Sequence, residues 1–241
     1  MHHQSPNTAV LVFIRDEQEE ARLKLFQAKR SFRSSLQVVR TLNRHVRSIT
    51  RQAGLPTFII KGDQQVGADF GERFTNAVES IFEAGYERVI AIGNDCLSLT
   101  ATHLQMIAAE LERGKALVIG PAKDGGAYAI GIQQSAFDKS AFEQLPWQTE
   151  QVFAALVNYI ENLKAAWSCL PAAMDVDDAI SFQKALTHLT ATCALHRLLK
   201  GILQSNRIPL VPDIPFISNY LAFTASLRAP PSRGLIINLW Y

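Results

Sequence analysis

The amino-acid sequence predicts an α/β fold with a doubly wound, mostly parallel β-sheet. Short apolar runs of strand length alternate along the chain with segments whose apolar residues recur at helical spacing. This alternation is typical of parallel strands joined by right-handed helical crossovers. With 48% hydrophobic and 19% charged residues, the 241-residue chain has enough apolar surface for one large folded domain and lacks the composition of a disordered protein.

Each element follows from its own local pattern. The run TAVLVFI at 8–14 is apolar and rich in β-branched residues, as in a buried strand. Over 34–53 the apolar period becomes helical, and the sequence Gly54-Leu55-Pro56 predicts the end of that helix. Ser98 and Thr100 are candidate N-caps of a later helix. The predicted strands cover 8–14, 57–61, 87–93, 115–120 and 127–132, and the predicted helices cover 34–53, 74–82, 104–111 and 149–163.

From residue 190 onward the sequence changes in character. Apolar residues at helical spacing between 194 and 202 precede a stretch with prolines at 209, 212, 215, 230 and 231. We therefore expect an α/β domain over 1–189, followed by a C-terminal helix and an extended Pro-rich segment over 190–241. The segment is too apolar for a plain disordered tail, which predicts that it packs on the domain or on a second subunit of a homo-oligomer.

Cysteine content and hydropathy predict a cytoplasmic protein. Cys96, Cys169 and Cys193 are odd in number and widely spaced, which indicates free thiols rather than a disulfide framework or a zinc site. No run of about 18 consecutive apolar residues occurs, so no membrane span is expected.

Positive charge is concentrated early in the chain. Residues 21–62 contain ten Lys or Arg and no acid, and five arginines of the predicted helix share one face. Such a face can bind a polyanion, but charge runs are more often solvated surface. The sequence has no recognised nucleic-acid motif, and no aromatic residues interleave with these arginines for base stacking, so nucleic acid is not an expected partner. The five arginines are Arg33, Arg40, Arg44, Arg47 and Arg51.

Acidic residues follow two of the buried runs. Asp95, in the loop Gly93-Asn94-Asp95-Cys96, lies at the carboxyl end of a predicted strand, where α/β sheets bind ligands. Its carboxylate suits a divalent metal on a diphosphate, although Asp is also common there as a cap or turn former. In the acidic run 175–178, Asp175 or Asp177 could face a metal, whereas Asp178 is placed to cap a helix.

The segment KDGGAY at 123–128 has two interpretations. Paired glycines permit unusual backbone conformations and a close approach by a ligand. Asp-Gly between two strands is also a strong signal for a tight hairpin, and taken alone this second interpretation is favoured.

Five sequence blocks together resemble the DUF2064 family, relatives of GT-A glycosyltransferases and of nucleotidyltransferases. The resemblance extends over roughly residues 8–186, and the order of the blocks makes it far more specific than any single motif. It implies a GT-A-like nucleotide-diphospho-sugar transferase fold and a nucleotide-sugar donor site. The blocks are GADFGERFTNAV (67–78), VIAIGNDCLSLT (89–100), GPAKDGGAYAIG (120–131), LPWQT (145–149) and DVDDAISF (175–182).

The resemblance also implies roles for individual residues. Asp95 takes the position of the metal-binding carboxylate, and Asp177 becomes a second ligand for Mg²⁺ or Mn²⁺. Asp124 would orient or deprotonate the acceptor and is the predicted catalytic residue. The predicted ligand-binding positions are Arg15, Arg22, Lys24, Gly93, Asn94, Gly125 and Gly126, of which Gly125 and Gly126 would line the acceptor side with Asp124.

The stretch after the first strand departs from the family pattern. Members usually carry Pro-x-x-Gly-x-x-Lys-Thr-Arg-Leu there, but residues 15–25 read RDEQEEARLKL, without the glycine and with four acids. These acids should weaken phosphate binding, which needs amide donors and positive charge. Leu97 replaces a usual proline and Ala127 a usual aromatic residue.

Three functions follow, in order of preference. The first is a metal-dependent, glycosyltransferase-like enzyme that uses a nucleotide-diphospho-sugar donor and an unidentified acceptor. The second is a catalytically degenerate family member that binds a partner, which the altered stretch 15–25 favours. A nucleotidyltransferase ranks third, because it would need a Gly-rich, Lys-containing loop after the first strand.

Overall fold

The computed structural model describes residues 7–24, 26, 31–176, 178–190 and 193–204. Within these residues, strands and helices alternate along most of the chain. The strands are β1 (Thr8–Ile14), β2 (Thr57–Lys61), β3 (Arg88–Ile92), β4 (Leu117–Pro121), β5 (Ala127–Gln133) and β6 (Trp167–Cys169). The helices are α1 (Glu17–Leu23), α2 (Phe32–Ala53), α3 (Phe70–Glu83), α4 (Ala101–Glu112), α5 (Lys139–Glu143), α6 (Val152–Asn162), α7 (Ala179–His188) and α8 (Ala194–Gln204).

The strands of the described chain form one sheet in the order β2-β1-β3-β5-β4-β6. β1 pairs in parallel with β2 and β3, and β4 pairs in parallel with β6. β5 is the exception and runs antiparallel to both β3 and β4. The predicted α/β class with a mostly parallel sheet is thus confirmed, and the one reversed strand follows from the short connection between β4 and β5, which is too short for a helical crossover.

Both faces of the sheet are buried under helices. Because side chains alternate along a strand, Ala9 and Leu11 of β1 face one layer and Val10 and Val12 face the other. The first layer is built by α3, α5 and α6, and the second by α2 and α4. The predicted strand over 8–14 is therefore buried on both sides except at the half-buried Phe13, as its continuous apolar run indicated.

A third apolar cluster lies beyond the sheet and positions α1. The N-terminal half of α2 packs with α1, α7 and α8 around Phe26 and Phe182, whose rings are 5.3 Å apart. The Ser31 side chain caps the start of α2, and Gly54 ends it in the left-handed conformation at φ 73°. This cluster holds α1 against the carboxyl edge of the sheet.

The bounds of β1 and β2 and the helical pattern at 194–202 are confirmed. α1, α5 and β6 were not predicted, because α1 is highly charged, α5 has only five residues and β6 has only three. For α7 the sequence indicated only the start, through the Asp178 cap. The Pro-rich stretch and Asp177 lie outside the described residues. None of the helices described here is both long and apolar enough to span a membrane. All three cysteines are free thiols, as predicted.

The hairpin between β4 and β5 packs closely against the start of α6. Gly125 lies in the hairpin with φ 93°, and its carbonyl accepts a hydrogen bond from the Phe153 amide at 2.9 Å. A Cβ atom at Gly125 would lie 2.0 Å from the Glu150 carbonyl oxygen. The Asp124 carboxylate accepts a hydrogen bond from the Gly126 amide at 2.9 Å, which closes the turn. Both interpretations of the segment 123–128 remain compatible with this hairpin, because its tip also borders a cavity.

We expect Gly125→Ala to destabilise the protein by about 3 kcal/mol or more, through backbone strain at positive φ and the clash with Glu150. Gly114→Ala is the matched control, because Gly114 has a similar φ of 96° but open space around its missing Cβ. That control should cost only about 1 kcal/mol. Urea unfolding of both variants measures the difference, and equal losses would contradict the proposed packing of the hairpin on α6.

Candidate functional site

A cavity of about 930 Å³ opens at the carboxyl edge of the sheet. It is bounded by the ends of β1 and β3, by α1, by the β4–β5 hairpin and by the N-terminal end of α3. This is the edge at which open α/β sheets bind ligands, and the volume suits a ligand larger than a single sugar.

The cavity brings together most of the residues predicted from the sequence. Asp175, one of the two alternatives in the acidic run, also lines it, whereas Asp177 lies outside the described residues. Gly125 packs against Glu150 behind the hairpin, and Arg22 is exposed, with its guanidinium 5.7 Å from the centre of the Phe32 ring. The predicted residues that line the cavity are Arg15, Lys24, Gly93, Asn94, Asp95, Asp124 and Gly126.

The stretch that departs from the family pattern forms a helix rather than a loop. The Asp16 carboxylate caps α1 by accepting hydrogen bonds from the amides of Gln18 and Glu19 at 2.9 and 3.3 Å. These amide hydrogen bonds hold the pKa of Asp16 below its usual value. The N-terminal amides of α1 are thus used by the protein itself, which is the structural consequence of the acids at 16–20.

A chain of polar contacts leads from α2 to the floor of the cavity. Asn94 donates to the Glu20 carboxylate at 2.9 Å and to the Asn43 side-chain oxygen at 2.8 Å. Asn43 in turn donates to Glu17 at 3.1 Å, and Arg40 pairs with the same carboxylate at 3.2 Å. Glu20, Asn43 and Asn94 are almost completely buried. Their mutual hydrogen bonds offset the cost of burying them and fix the loop after β3.

Lys24 ends this chain of contacts next to Asp95. Its ammonium nitrogen lies 3.2 Å from Asp95 Oδ2, 3.0 Å from the Val176 carbonyl oxygen and 3.6 Å from Glu20 Oε1. The Lys24 side chain is only 11% exposed, whereas that of Asp95 is 30% exposed and reaches the cavity. Lys24 therefore joins α1, the loop after β3 and the segment at 175–176.

Asp175 is held beside the loop that carries Asp95. Cys96 and Asp175 form an isolated antiparallel bridge, and the Val176 amide donates to the Asp95 carbonyl at 3.1 Å. Burial raises the pKa of the Cys96 thiol to about 11, so this cysteine remains protonated at neutral pH. Asp178 caps α7 by accepting from the amides of Ile180 and Ser181, which is the structural role that the sequence indicated.

An aromatic wall forms the opposite side of the cavity and was missed from the sequence. It consists of Phe13, Phe70, Phe74 and Trp147, which contact one another at centroid distances of 4.8 to 6.0 Å. Trp147 is held by a hydrogen bond from its ring nitrogen to the Phe142 carbonyl at 2.6 Å. The spacing of Phe70 and Phe74 on one helix face was the available signal, but nothing in the sequence placed Trp147 beside them.

Within the part of the chain that the structure describes, six acidic and three basic side chains line the cavity, which makes it acidic. The basic side chains are those of Arg15, Lys24 and Arg73, and Lys24 is already surrounded by acceptors. Among the described residues, no three His, Cys, Asp or Glu side chains cluster into a ready-made metal site. The acids are Glu19, Glu20, Asp95, Asp124, Glu150 and Asp175.

Comparison with solved structures shows the class of this fold. A presumed nucleotide-diphospho-sugar transferase from Desulfovibrio desulfuricans G20 superimposes with a TM-score of 0.69 at 21% sequence identity, covering 80% of this chain and 94% of that chain. The fold is thus that of the nucleotide-diphospho-sugar transferases, and at this identity the likeness concerns the fold alone.

The chain belongs to the DUF2064 family, described as "Uncharacterized protein conserved in bacteria", whose model matches residues 24–149, more than half of the sequence. The family resemblance seen in the sequence is therefore confirmed. No curated protein matches the chain.

Two further structures are similar at lower TM-scores. One is a Mycobacterium tuberculosis H37Rv protein solved in complex with manganese, at TM-score 0.42 and 10% identity, covering 76% of this chain and 99% of that chain. The other is a cytidylyltransferase from Leptospira borgpetersenii, at TM-score 0.40 and 12% identity, covering 84% of this chain and 98% of that chain. At these scores neither carries an argument about the site.

The buried carboxylate of Glu20 makes the free energy of unfolding of the protein depend on pH. Burial raises the pKa of Glu20 above its usual value, while the Lys24 ammonium and the hydrogen bond from Asn94 act in the opposite direction. The native state thus keeps this proton to a higher pH than the unfolded chain does. The contribution of Glu20 to the free energy of unfolding therefore falls as pH rises from 4.5 through the raised pKa.

Glu20→Gln removes the titrating carboxylate. We therefore expect the free energy of unfolding of the variant to fall less than that of the wild type as pH rises between about 4 and 8. Urea unfolding across this range measures the effect. Glu19→Gln makes the same chemical change at an exposed position one residue away and should follow the wild type. Parallel curves for wild type and Glu20→Gln would contradict a raised Glu20 pKa.

Proposed function

We propose that the protein is a transferase that binds a nucleotide-diphospho-sugar donor in the cavity at the carboxyl edge of the sheet. The observation that carries this proposal is the position of Asp95 and Asp175, on adjoining segments at the edge where α/β sheets bind ligands. The likeness of the fold to a presumed nucleotide-diphospho-sugar transferase agrees with it.

The residues of the cavity fit a divalent metal ion. Mg²⁺ in phosphate sites takes one or two carboxylates and completes its shell with water and phosphate oxygens, so a cluster of three protein ligands is not required. Asp95 and Asp175 would hold Mg²⁺ or Mn²⁺, and Asp177 remains a candidate ligand from the sequence. The bound ion would offset the charge of a diphosphate and stabilise it as the leaving group. The excess of acids in the cavity supports this, because a dianionic donor would otherwise be repelled.

The chain's own residues supply the remaining functions. The bond between the anomeric carbon and the diphosphate oxygen breaks as a bond to the acceptor oxygen forms, and the acceptor's proton passes to Asp124. The Asp124 carboxylate lies at the cavity, with Oδ1 fixed by the Gly126 amide. The aromatic wall offers apolar ring faces against which a sugar or a planar group can pack, and Arg73 lies beside it.

A catalytically degenerate binding protein is the second candidate. The structure of α1 favours this candidate. Its N-terminal amides are capped by Asp16, and an acidic helix stands where the family pattern has a phosphate-binding loop. This candidate predicts a folded protein that binds a partner without transferring a sugar.

We expect a nucleotide-sugar together with Mn²⁺ to raise the melting temperature of the wild type. At 100 times its dissociation constant a ligand adds about 2.7 kcal/mol, or about 5–10 °C for a chain of this size. Asp95→Asn should abolish the shift, whereas Glu112→Gln, at an exposed position at the end of α4, should retain it. A panel of donors with different bases and sugars, read by thermal unfolding, tests this. A shift that survives Asp95→Asn would contradict the assigned role of Asp95.

We expect Asp124→Asn to keep donor binding but to lower transfer by about 10²- to 10⁴-fold, because the amide cannot accept the acceptor's proton. Asparagine preserves the turn, since its side-chain oxygen can still accept from the Gly126 amide. Release of nucleoside diphosphate with water as acceptor measures the rate. A variant with full turnover would remove Asp124 from the mechanism, and the absence of turnover in the wild type despite a donor-induced thermal shift would favour the binding protein.

A further inference from the structure

The Asp95 carboxylate already has a cation supplied by the chain. We propose that Lys24 is the resident counter-cation of Asp95 in the metal-free protein, and that it competes with a divalent metal ion for this carboxylate. The inference rests on the proposed function, because it concerns the same metal position.

The ammonium group of Lys24 is buried and surrounded by hydrogen-bond acceptors and carboxylates. Its ammonium group has three N–H donors, and acceptors from three separate segments of the described chain lie around it: Glu20 of α1, Asp95 after β3 and the carbonyl of Val176. An ammonium that is this deeply buried needs a charged partner, because the loss of hydration is otherwise uncompensated. Moving the Lys24 ammonium away from Asp95 would therefore cost free energy, because the ammonium would lose a charged partner.

The charge of Lys24 opposes a second cation at the same carboxylate. Oδ2 of Asp95 is the atom nearest the ammonium, at 3.2 Å, and a divalent ion bound to this carboxylate would lie close to a like charge. A neighbouring cation lowers the affinity of a carboxylate for a proton by roughly 10- to 1,000-fold, and a divalent ion is repelled by the same mechanism. Removal of the Lys24 charge should therefore strengthen metal binding.

An anionic donor would relieve this competition. A diphosphate in the cavity supplies a new anion for the ammonium of Lys24, so that the carboxylate becomes available to the metal. Donor and metal would then bind with positive coupling, and by linkage each would raise the affinity for the other by the same factor. Metal loading in the absence of donor is weak in this scheme.

Titration of the nucleotide-free protein with Mn²⁺, followed by electron paramagnetic resonance of the free ion, tests the competition. We expect Lys24→Gln to bind Mn²⁺ at least about tenfold more tightly than the wild type. Lys200→Gln is the matched control, because Lys200 is exposed on α8, and it should bind like the wild type. Equal affinity of Lys24→Gln and wild type would overturn the role of Lys24 and leave the metal site of the proposed function intact. Absence of Mn²⁺ binding in all variants, even with nucleoside diphosphate present, would overturn both.

A second measurement uses the wild type and so does not depend on the folding of Lys24→Gln. Lys24 is the buried lysine among the described residues, so its ammonium protons should exchange slowly and give a resolved ¹H–¹⁵N signal. Addition of Mg²⁺, which is diamagnetic, should shift or broaden this signal as Asp95 is withdrawn. A signal that is unchanged at saturating Mg²⁺ would overturn the proposal, as would the absence of any slowly exchanging ammonium.

Discussion

The buried carboxylate of Glu20 is the interaction on which the floor of the cavity depends. It accepts a hydrogen bond from Asn94 and lies next to the ammonium of Lys24, so that α1 and the loop after β3 are held by one group. Burial opposes its charge, and these partners, together with the charge of Arg15, compensate for the loss of hydration. The positions of Asn94 and Asp95 at the cavity therefore follow from a charge placed on a helix far away in the sequence.

Helix α1 occupies the stretch where the family pattern implies a phosphate-binding loop, and its amides are not free to bind an anion. A glycine-rich loop offers free amides, whereas the amides at the start of α1 are capped by Asp16. Under the proposed function, a bound anion would depend on side-chain cations and on a bound metal ion, since among the described residues the acids outnumber the basic groups around the cavity.

Local patterns predicted most of the fold, because buried parallel strands and amphipathic helices have strong signatures. β1 and β2 appear at the predicted bounds, and α2 begins two residues earlier than predicted. The reversed strand β5 could be inferred only from the Asp-Gly turn that precedes it. Helix α1 escaped prediction because its stability derives from the Asp16 cap and from packing of Ala21 in the third cluster, neither of which produces an apolar period.

The sequence by itself determined the family, the α/β class and the residues that follow the strands, since these depend on local order along the chain. It could not determine which charges meet, because Lys24 and Asp95 are 71 residues apart along the chain. Only the tertiary structure placed Asp175 beside the Asp95 loop, directed Arg22 onto Phe32 and brought the ammonium of Lys24 to Asp95. Contacts between charges are set by how helices and loops pack at the edge of the sheet, and packing is a property of the whole fold rather than of any one motif.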